Sequence, residues 1–211
     1  MFDLVTRQTR WVQSRAGRLG IANATVDPAD EVTVVTRSPN AMLSRTLEHY
    51  RSDGTLAWVR TWPMASSDEA ENSFVAALAA DSQGNVSVMV TDWNRAGRLY
   101  RVSRDGETLF ASTYEWQLYD SFASVGLPGA QLLTMRSGAI VHSPTTVLDV
   151  QPGDSINLIT VISADGKLCK RHAWRHRYQR SSARFAVQGD RLYFSTAQGF
   201  GRLELPADFE P

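Results

Sequence analysis

Four histidines carry most of the acid–base chemistry that this sequence could perform. His172 and His176 are four residues apart, which on a helix is the spacing of two metal ligands. Their segment is predicted to be a strand that runs into a loop, where Trp174 lies between them on the same face. We therefore interpret the pair as surface histidines beside a packed tryptophan, and we predict no metal site. No Gly-x-Ser-x-Gly motif is present, so His142 is the acid–base candidate if the protein is an enzyme.

The other reactive side chains have structural interpretations. Cys169 is the single cysteine, which leaves no internal disulfide and no cysteine-based metal cluster. It is predicted to be a structural thiol in an outer strand. Asp27 and Asp30 could pair as carboxylates, but a turn that caps its own backbone amides is favoured for the segment VDPADE. The sequence therefore predicts no catalytic residue and no cofactor.

Composition limits the classes of partner. The 211 residues include 22 basic and 22 acidic side chains, and 43% of the chain is apolar. This balance argues against a disordered chain and against a nucleic-acid partner, which selects a basic excess. No run reaches the roughly 18 apolar residues that would indicate a membrane span. Because the first residues also lack an apolar signal core, we expect a cytoplasmic protein or a mature product whose signal is absent. We expect one domain over residues 1–211.

A repeat positions these residues. Three Asp-Gly pairs separate alternating apolar segments, at residues 53–54, 105–106 and 165–166. Asp-Gly between two strands predicts a hairpin with a type I′ turn. A leucine and then a tryptophan follow each turn, as Leu56/Trp62, Leu109/Trp116 and Leu168/Trp174, and Leu4/Trp11 repeats the spacing at the N-terminus. We expect these tryptophans mainly to pack between sheets.

A second hairpin precedes each of these, so every unit holds four short strands, A to D. In the third unit we assign the A–B hairpin to FASVGLPGAQLLTM. Four-stranded units at this period predict an all-β, four-bladed β-propeller. The blades are expected at about 18–62, 73–116, 121–174 and 182–205, with residues 2–12 closing the last one. A β-sandwich, or a larger ring formed by two chains, remains open, so the protein is a monomer or a homodimer.

These repeats resemble known propeller families. The C–D hairpins, with Asp-Gly, Gly-x-Leu and a later tryptophan, resemble quinoprotein-like repeats. The turn DSQGNVSVMV resembles the Asp-x-x-Gly-Asn-Val turns of bacterial propeller repeats. The resemblance implies the fold alone, because such propellers include enzymes, lectins and binding scaffolds. No quinone or calcium site can be matched residue by residue.

The two ends of such a propeller differ. The A–B and C–D turns are short, whereas the B–C and D–A loops are long and irregular. The loops are predicted at 14–18, 37–45, 63–73, 91–97, 117–121, 137–155, 175–182 and 197–200. Because function gathers on loops held by a rigid scaffold, we place the functional site on this loop face.

Charge is divided across the predicted loop face. Residues 61–94 carry five acidic side chains and no Lys or Arg, whereas residues 170–191 carry seven basic side chains and one acid. In a four-bladed ring the loops 63–73 and 175–182 lie opposite each other. The face is therefore expected to be dipolar, which suits the orientation of a charged partner.

These patterns favour a non-enzymatic module that binds, and could regulate, a protein partner. The predicted contact residues are Trp93, Tyr119, His142, Arg175, Arg177, Tyr178, Arg180, Asp68, Glu69 and Glu71. Tyrosine, tryptophan and arginine are enriched at interface hot spots. Three alternatives stay open. They are a lyase- or hydrolase-type enzyme at the channel mouth of this face, a lectin that uses the repeated tryptophans, and an RNA binder through residues 170–184.

Overall fold

The computed structural model describes residues 2–3, 8–9, 12, 20–37, 44–62, 74–91, 96–115, 131–143, 148–151, 154–167, 169–177, 184–196 and 199–203. Every regular element in these ranges is a β-strand, so the all-β prediction is confirmed. The described part of the chain contains no helix with the length and apolar character that crossing a membrane requires.

The first strands form a small hairpin and two four-stranded sheets. β1 (Phe2–Asp3) pairs with β2 (Gln8–Thr9). Sheet 1 contains β3 (Gly20–Val26), β4 (Val32–Arg37), β5 (Ser44–Tyr50) and β6 (Leu56–Thr61). Sheet 2 contains β7 (Phe74–Ala80), β8 (Val86–Thr91), β9 (Ala96–Val102) and β10 (Thr108–Glu115). Each of these two sheets is an antiparallel meander in chain order.

Two further sheets complete the described strands. Sheet 3 contains β11 (Gln131–Thr134), β12 (Ile140–Ser143), β13 (Leu148–Gln151), β14 (Asp154–Ile162) and β15 (Cys169–Arg177). One edge of β14 pairs with β15, and its other edge pairs with β13 near the start and with β12 near the end. Sheet 4 contains β16 (Arg184–Gln188), β17 (Arg191–Thr196) and β18 (Gly199–Leu203).

Apolar layers join the sheets in chain order. In β8, Val88 belongs to the layer between sheets 1 and 2, whereas the adjacent Met89 belongs to the layer between sheets 2 and 3. Successive side chains of a strand point to opposite faces. A sheet that is packed on both faces therefore needs apolar residues at consecutive positions, as β8 shows. A third layer joins Ile159 of sheet 3 to Phe185 of sheet 4.

Trp62 fills the first of these layers. Its side chain is fully buried, and its ring meets Tyr100 edge to face with the centroids 5.7 Å apart. The prediction that this tryptophan packs between sheets is confirmed, and its burial makes it unsuitable as a sugar platform. Trp11, Trp116 and the side chain of Trp174 lie outside what the structure describes.

The Asp-Gly turns have a different geometry from the predicted one. The amide of Gly54 donates to the carbonyl of Arg51, and the amide of Arg51 donates to that of Thr55. Gly54 has a φ of 85°, whereas Asp53 is not among the residues with positive φ. This is a type I turn closed by a glycine bulge, since a type I′ turn needs positive φ at both central residues.

The β3–β4 turn uses the same geometry without glycine. Asp30 has a φ of 62° and occupies the position of the glycine. Oδ1 of Asp27 accepts hydrogen bonds from the amides of Ala29 and Glu31, each at 2.9 Å. The interpretation of this segment as a turn that caps its own amides is confirmed.

The third unit departs from the expected strand assignment. Its first described hairpin is β11–β12, closed by the turn Met135–Ala139. Strand β11 lies at the end of the segment FASVGLPGAQLLTM, and residues 122–130 of that segment lie outside the described residues. The expected loop 137–155 is also wrong, because β12 and β13 lie inside it. Aspartate is missing from this turn, but Gly138 supplies the positive φ, at 87°.

The closure of the last sheet by residues 2–12 is not seen among the described strands. Phe2 pairs with Thr9 and Asp3 with Gln8, and the described part of sheet 4 ends at β18. A local hairpin pairs its backbone groups at a small cost in loop-closure entropy.

Candidate functional site

The turns that follow the first and third strands of sheets 1 and 2 lie on one edge of the stack, here called the turn face. On this edge Gly106 packs against the indole of Trp58 from the preceding sheet. Gly106 has a φ of 89°, and a Cβ added to it would lie 2.8 Å from Cγ of Trp58. Nε1 of Trp58 donates to the carbonyl of Arg104 at 2.9 Å, and Nε of Arg60 donates to that of Gly106 at 2.7 Å. The β9–β10 turn is therefore held against β6.

The same contact recurs between sheets 2 and 3. Gly166 packs against Phe110, and a Cβ added to it would lie 2.7 Å from Cδ2 of that ring. Trp58 and Phe110 each follow the glycine of their own turn by four residues, Gly54 and Gly106. A glycine in one sheet and an aromatic ring in the sheet before it thus form a repeated joint.

Glu31 joins sheets 1 and 2 by charge. It is 6% exposed, and its carboxylate accepts from Nε of Arg104 at 2.7 Å and from Nη2 at 2.6 Å. Nε2 of His49 lies 3.2 Å from Oε2 of the same carboxylate. The hydrogen bond from Arg104 is the main reason why the pKa of Glu31 is lowered, although burial acts against it. Glu31 is therefore ionised at neutral pH.

His49 completes this cluster from β5. Its Nδ1 lies 2.8 Å from Oγ1 of Thr33, and its ring stacks on Trp58 with the centroids 5.0 Å apart. The contacts Thr33–His49–Glu31 follow the order of a hydroxyl–imidazole–carboxylate triad. Thr33 is 1% exposed, however, so its hydroxyl does not reach a substrate. The cluster orients Trp58 and does not form a nucleophile.

Arg101 plays the corresponding part between sheets 2 and 3. It precedes its turn by two residues, as His49 does. Its guanidinium pairs with the buried carboxylate of Asp81 and donates from Nη1 to the carbonyl of Gly138 at 2.8 Å. Burial acts to raise the pKa of Asp81, but hydrogen bonds from Asn85 and the charge of Arg101 are among the contacts that hold it below its usual value.

A groove of about 420 Å³ opens on the turn face between sheets 1 and 2. It is lined by Glu31, His49, Arg51, Ala57, Trp58, Arg104 and Asp105. Its floor is polar, because the Glu31–Arg104 pair and His49 form it. Arg51 and Asp105 are exposed and come from the third-to-fourth-strand turns of sheets 1 and 2. The groove thus carries charge of both signs.

Most residues of the predicted loop-face site lie outside the described residues. These are Asp68, Glu69, Glu71, Trp93, Tyr119, Tyr178 and Arg180. Arg175 and Arg177 lie in β15 and not in a loop, and the structure does not describe their side chains. His172 and His176 both lie in β15, whereas the expected loop 175–182 would have begun before His176. Within the described residues, no group of three His, Cys, Asp or Glu could hold a metal ion.

His142 lies inside sheet 3. It is 1% exposed in β12, opposite Leu132 of β11 and Thr160 of β14. Burial lowers its pKa to about 3, so its imidazole is neutral at physiological pH. It lacks the exposure that either a partner contact or acid–base catalysis at a channel mouth requires. It was expected in a loop because β12 was not recognised.

Comparisons with known proteins concern the fold. No protein-family model and no curated protein matches the chain. It is similar to a crystal structure of a protein of unknown function from Bacteroides caccae, with a TM-score of 0.60 and 13% identity over 98% of this chain and 64% of that one. It also matches WD40 domains of Toxoplasma gondii coronin (TM-score 0.48, 7% identity, 85% and 39% coverage) and of fission yeast SCAP (0.49, 14%, 95% and 45%).

The chain spans less than two thirds of the length of each of these three proteins. At such identities the likeness concerns the fold alone. The stacking of successive antiparallel sheets is the arrangement of a β-propeller at the coarse level. These three structures do not assign the chain to a quinoprotein family.

Proposed function

We propose that this chain is a non-enzymatic binding module that engages a protein partner. The observation that carries the proposal is the groove on the turn face. Its walls belong to two sheets that are fixed to each other by the Gly106–Trp58 contact and by the Glu31–Arg104 pair. A rigid site loses little conformational freedom when a partner binds, so more of the contact energy appears as affinity.

The loop face is the second surface of this proposal. It is supported by the separation of acidic and basic segments along the sequence. Its proposed anchors are Trp93, Tyr119 and Tyr178, and its charged contacts are Arg175, Arg177 and Arg180 with Asp68, Glu69 and Glu71. His142 is left out because it is buried.

The test of the loop face is a binding measurement on one identified partner. Partners are captured from the source cell, purified, and titrated against the wild-type chain by calorimetry. The Arg177→Ala/Tyr178→Ala variant is expected to bind at least about 30-fold more weakly, the loss typical of a hot spot. Arg136→Ala, a surface arginine in the β11–β12 turn, is the matched control. Unchanged affinity of the double variant for every partner would remove the loop face from the proposal.

We also propose that the four sheets are the blades of one ring, with residues 2–12 adding to β18. Support comes from sheets 1 and 2, which have four strands where sheet 4 has three described ones. Deletion of residues 1–12 is expected to speed amide hydrogen exchange in β18 and leave β8 protected. Unchanged exchange in β18 would contradict closure, and sedimentation would distinguish one closed chain from a dimeric ring.

A further inference from the structure

The carboxylates of Asp53, Asp105 and Asp165 occupy equivalent positions in three turns but make different hydrogen bonds. Asp53 accepts a hydrogen bond from the amide of Thr55 at 2.9 Å, and Asp165 accepts one from the amide of Lys167 at 3.1 Å. Both carboxylates are thereby held within their own turns. Hydrogen bonding to the ionised form lowers the pKa of each, that of Asp165 to about 2.

Asp105 is the exception among these turns. The amide of Glu107, which is equivalent to that of Thr55, donates to Oγ of Ser103 at 3.0 Å. Among the described residues the carboxylate of Asp105 has no hydrogen bond or ion pair. It lines the groove, so this turn presents a negative charge to whatever enters from the sheet 2 side.

Arg51 provides the opposite charge from sheet 1. Its backbone closes the β5–β6 turn, and its exposed side chain lines the groove. Within the described part of the chain its guanidinium makes no ion pair, and it does not pair with Asp105. The charge of Arg104 is already neutralised by Glu31 through two hydrogen bonds. The groove therefore carries one cation on one wall and one anion on the other, and no described residue holds either of them in an ion pair.

We propose that the groove binds a segment of a protein partner that carries one acidic and one basic side chain. The acidic side chain contacts Arg51, the basic one contacts Asp105, and the segment lies over Ala57 and the edge of Trp58. A volume of about 420 Å³ suits this occupant, since sites for small ligands begin near 300 Å³. The inference rests on the proposed function, because the occupant belongs to a protein partner.

The test uses four synthetic nonapeptides of Gly and Ser in which the central positions read Lys-x-Glu, Gln-x-Glu, Lys-x-Gln or Gln-x-Gln. Each is titrated into the full chain labelled with ¹⁵N, and the indole N–H of Trp58 is the reporter, assigned with Trp58→Phe. A fifth peptide with the reversed order Glu-x-Lys is titrated as well, so that both directions of binding are tested. The peptide with both charges is expected to give saturable shifts at Trp58, Arg51 and Asp105.

Removing either charge from the peptide is expected to weaken binding about two- to five-fold, the range for exposed ion pairs. Arg51→Gln should remove the effect of the peptide glutamate alone, and Asp105→Asn should remove the effect of the lysine alone. Asp165→Asn and Arg136→Gln change equivalent charges outside the groove and should leave all affinities unchanged.

Three results would overturn the inference. They are no saturable shift with any peptide, equal affinity for all four, or loss of both charge effects in one single variant. A ten-nucleotide RNA is titrated in parallel, and stronger shifts at the same residues with RNA would assign the groove to a polyanion instead. These outcomes are independent of partner capture through the loop face, so failure of the groove is distinguished from failure of the loop face.

Discussion

Replacement of Gly106 by alanine tests the joint between sheets 1 and 2. The added methyl group meets two costs. With a φ of 89°, a residue that bears a Cβ costs about 1–2 kcal/mol in this left-handed region. The Cβ would also lie 2.8 Å from Cγ of Trp58, and overpacking of this kind typically costs about 1–3 kcal/mol. We therefore expect Gly106→Ala to lower the free energy of unfolding by about 2–5 kcal/mol.

Gly189 is the matched control. Its φ is 63°, and nothing lies within 4 Å of an added Cβ. Gly189→Ala should therefore carry only the backbone cost, about 1–2 kcal/mol. Urea unfolding followed by circular dichroism measures both variants. In a chain of this size each kcal/mol corresponds to about 2–4 °C in Tm, so thermal scans provide a second measurement.

A double-mutant cycle with Trp58 decides the cause. Trp58→Ala removes the ring that the new methyl group meets, so the cost of Gly106→Ala should fall to that of Gly189→Ala in this background. The expected coupling between the two sites is about 1 kcal/mol or more. If Gly106→Ala and Gly189→Ala cost the same in the wild-type background, or if no coupling is found, the glycine is not required by the aromatic contact.

Three further predictions concern buried charge and pH. Arg101→Met should lower the free energy of unfolding by about 3 kcal/mol in urea, because it leaves the carboxylate of Asp81 buried without its cation; an Arg101→Met/Asp81→Asn double variant that is no more stable would contradict this. Burial lowers the pKa of His142 to about 3 in the folded state, against 6.5 unfolded, so its contribution is complete above pH 6.5 and about 4–5 kcal/mol is lost towards pH 3. His142→Leu should flatten this part of the stability profile, and an unchanged slope would refute it. The pKa of Glu31 is lowered by the hydrogen bond from Arg104, so this stabilisation is present above the ordinary value of 4.5 and is lost as the pH falls through the lowered pKa. The Tm values of Glu31→Gln and wild type should differ at pH 7 and converge as the pH falls below 4.5, and a constant difference would contradict the ion pair.

Local patterns made the sheets predictable. Strand β8 has apolar residues at Val88, Met89 and Val90, as expected for a strand that is buried on both faces. Turns that contain glycine precede β8 and follow β9, so the hydrophobic pattern and the turn residues predict the same strand boundaries. The turn type was mistaken because type I′ and the glycine-bulge turn both favour Asp-Gly, and they differ only in the φ of the aspartate. The position of each turn does not depend on that difference.

The strands of the third unit were assigned wrongly for a reason that is also local. The third unit was aligned with the second through the Ser-Phe pair that begins each of them, Ser73-Phe74 and Ser121-Phe122, whereas the turn Met135–Ala139 is marked by the positive φ of Gly138. The sequence does contain a turn signal here, because Gly138 lies between the apolar segments QLLT and IVHS, which form β11 and β12. With β12 recognised, His142 would have been assigned to a strand.

The groove was not predictable from single motifs. It depends on the approach of Gly106 to Trp58, and on whether the amide of Glu107 bonds to Ser103. Serine at the first turn position does not decide this, because Ser163 in the equivalent place donates to Asp165 instead. The sequence does contain one signal: Trp58 and Phe110 each follow a turn glycine by four residues.

The two residues of each glycine–aromatic joint are synthesised in a fixed order. In both joints that the structure describes, the ring belongs to the earlier sheet and the glycine to the later one. During synthesis on a ribosome, the rings of sheets 1 and 2 are therefore exposed until the next sheet has been made and covers them. In sheet 3 the corresponding position, four residues after Gly166, is Lys170. A lysine can cover apolar surface with its stem while its charged end stays in water. At this position the series of rings ends, much as a polar terminal unit ends a repeat array.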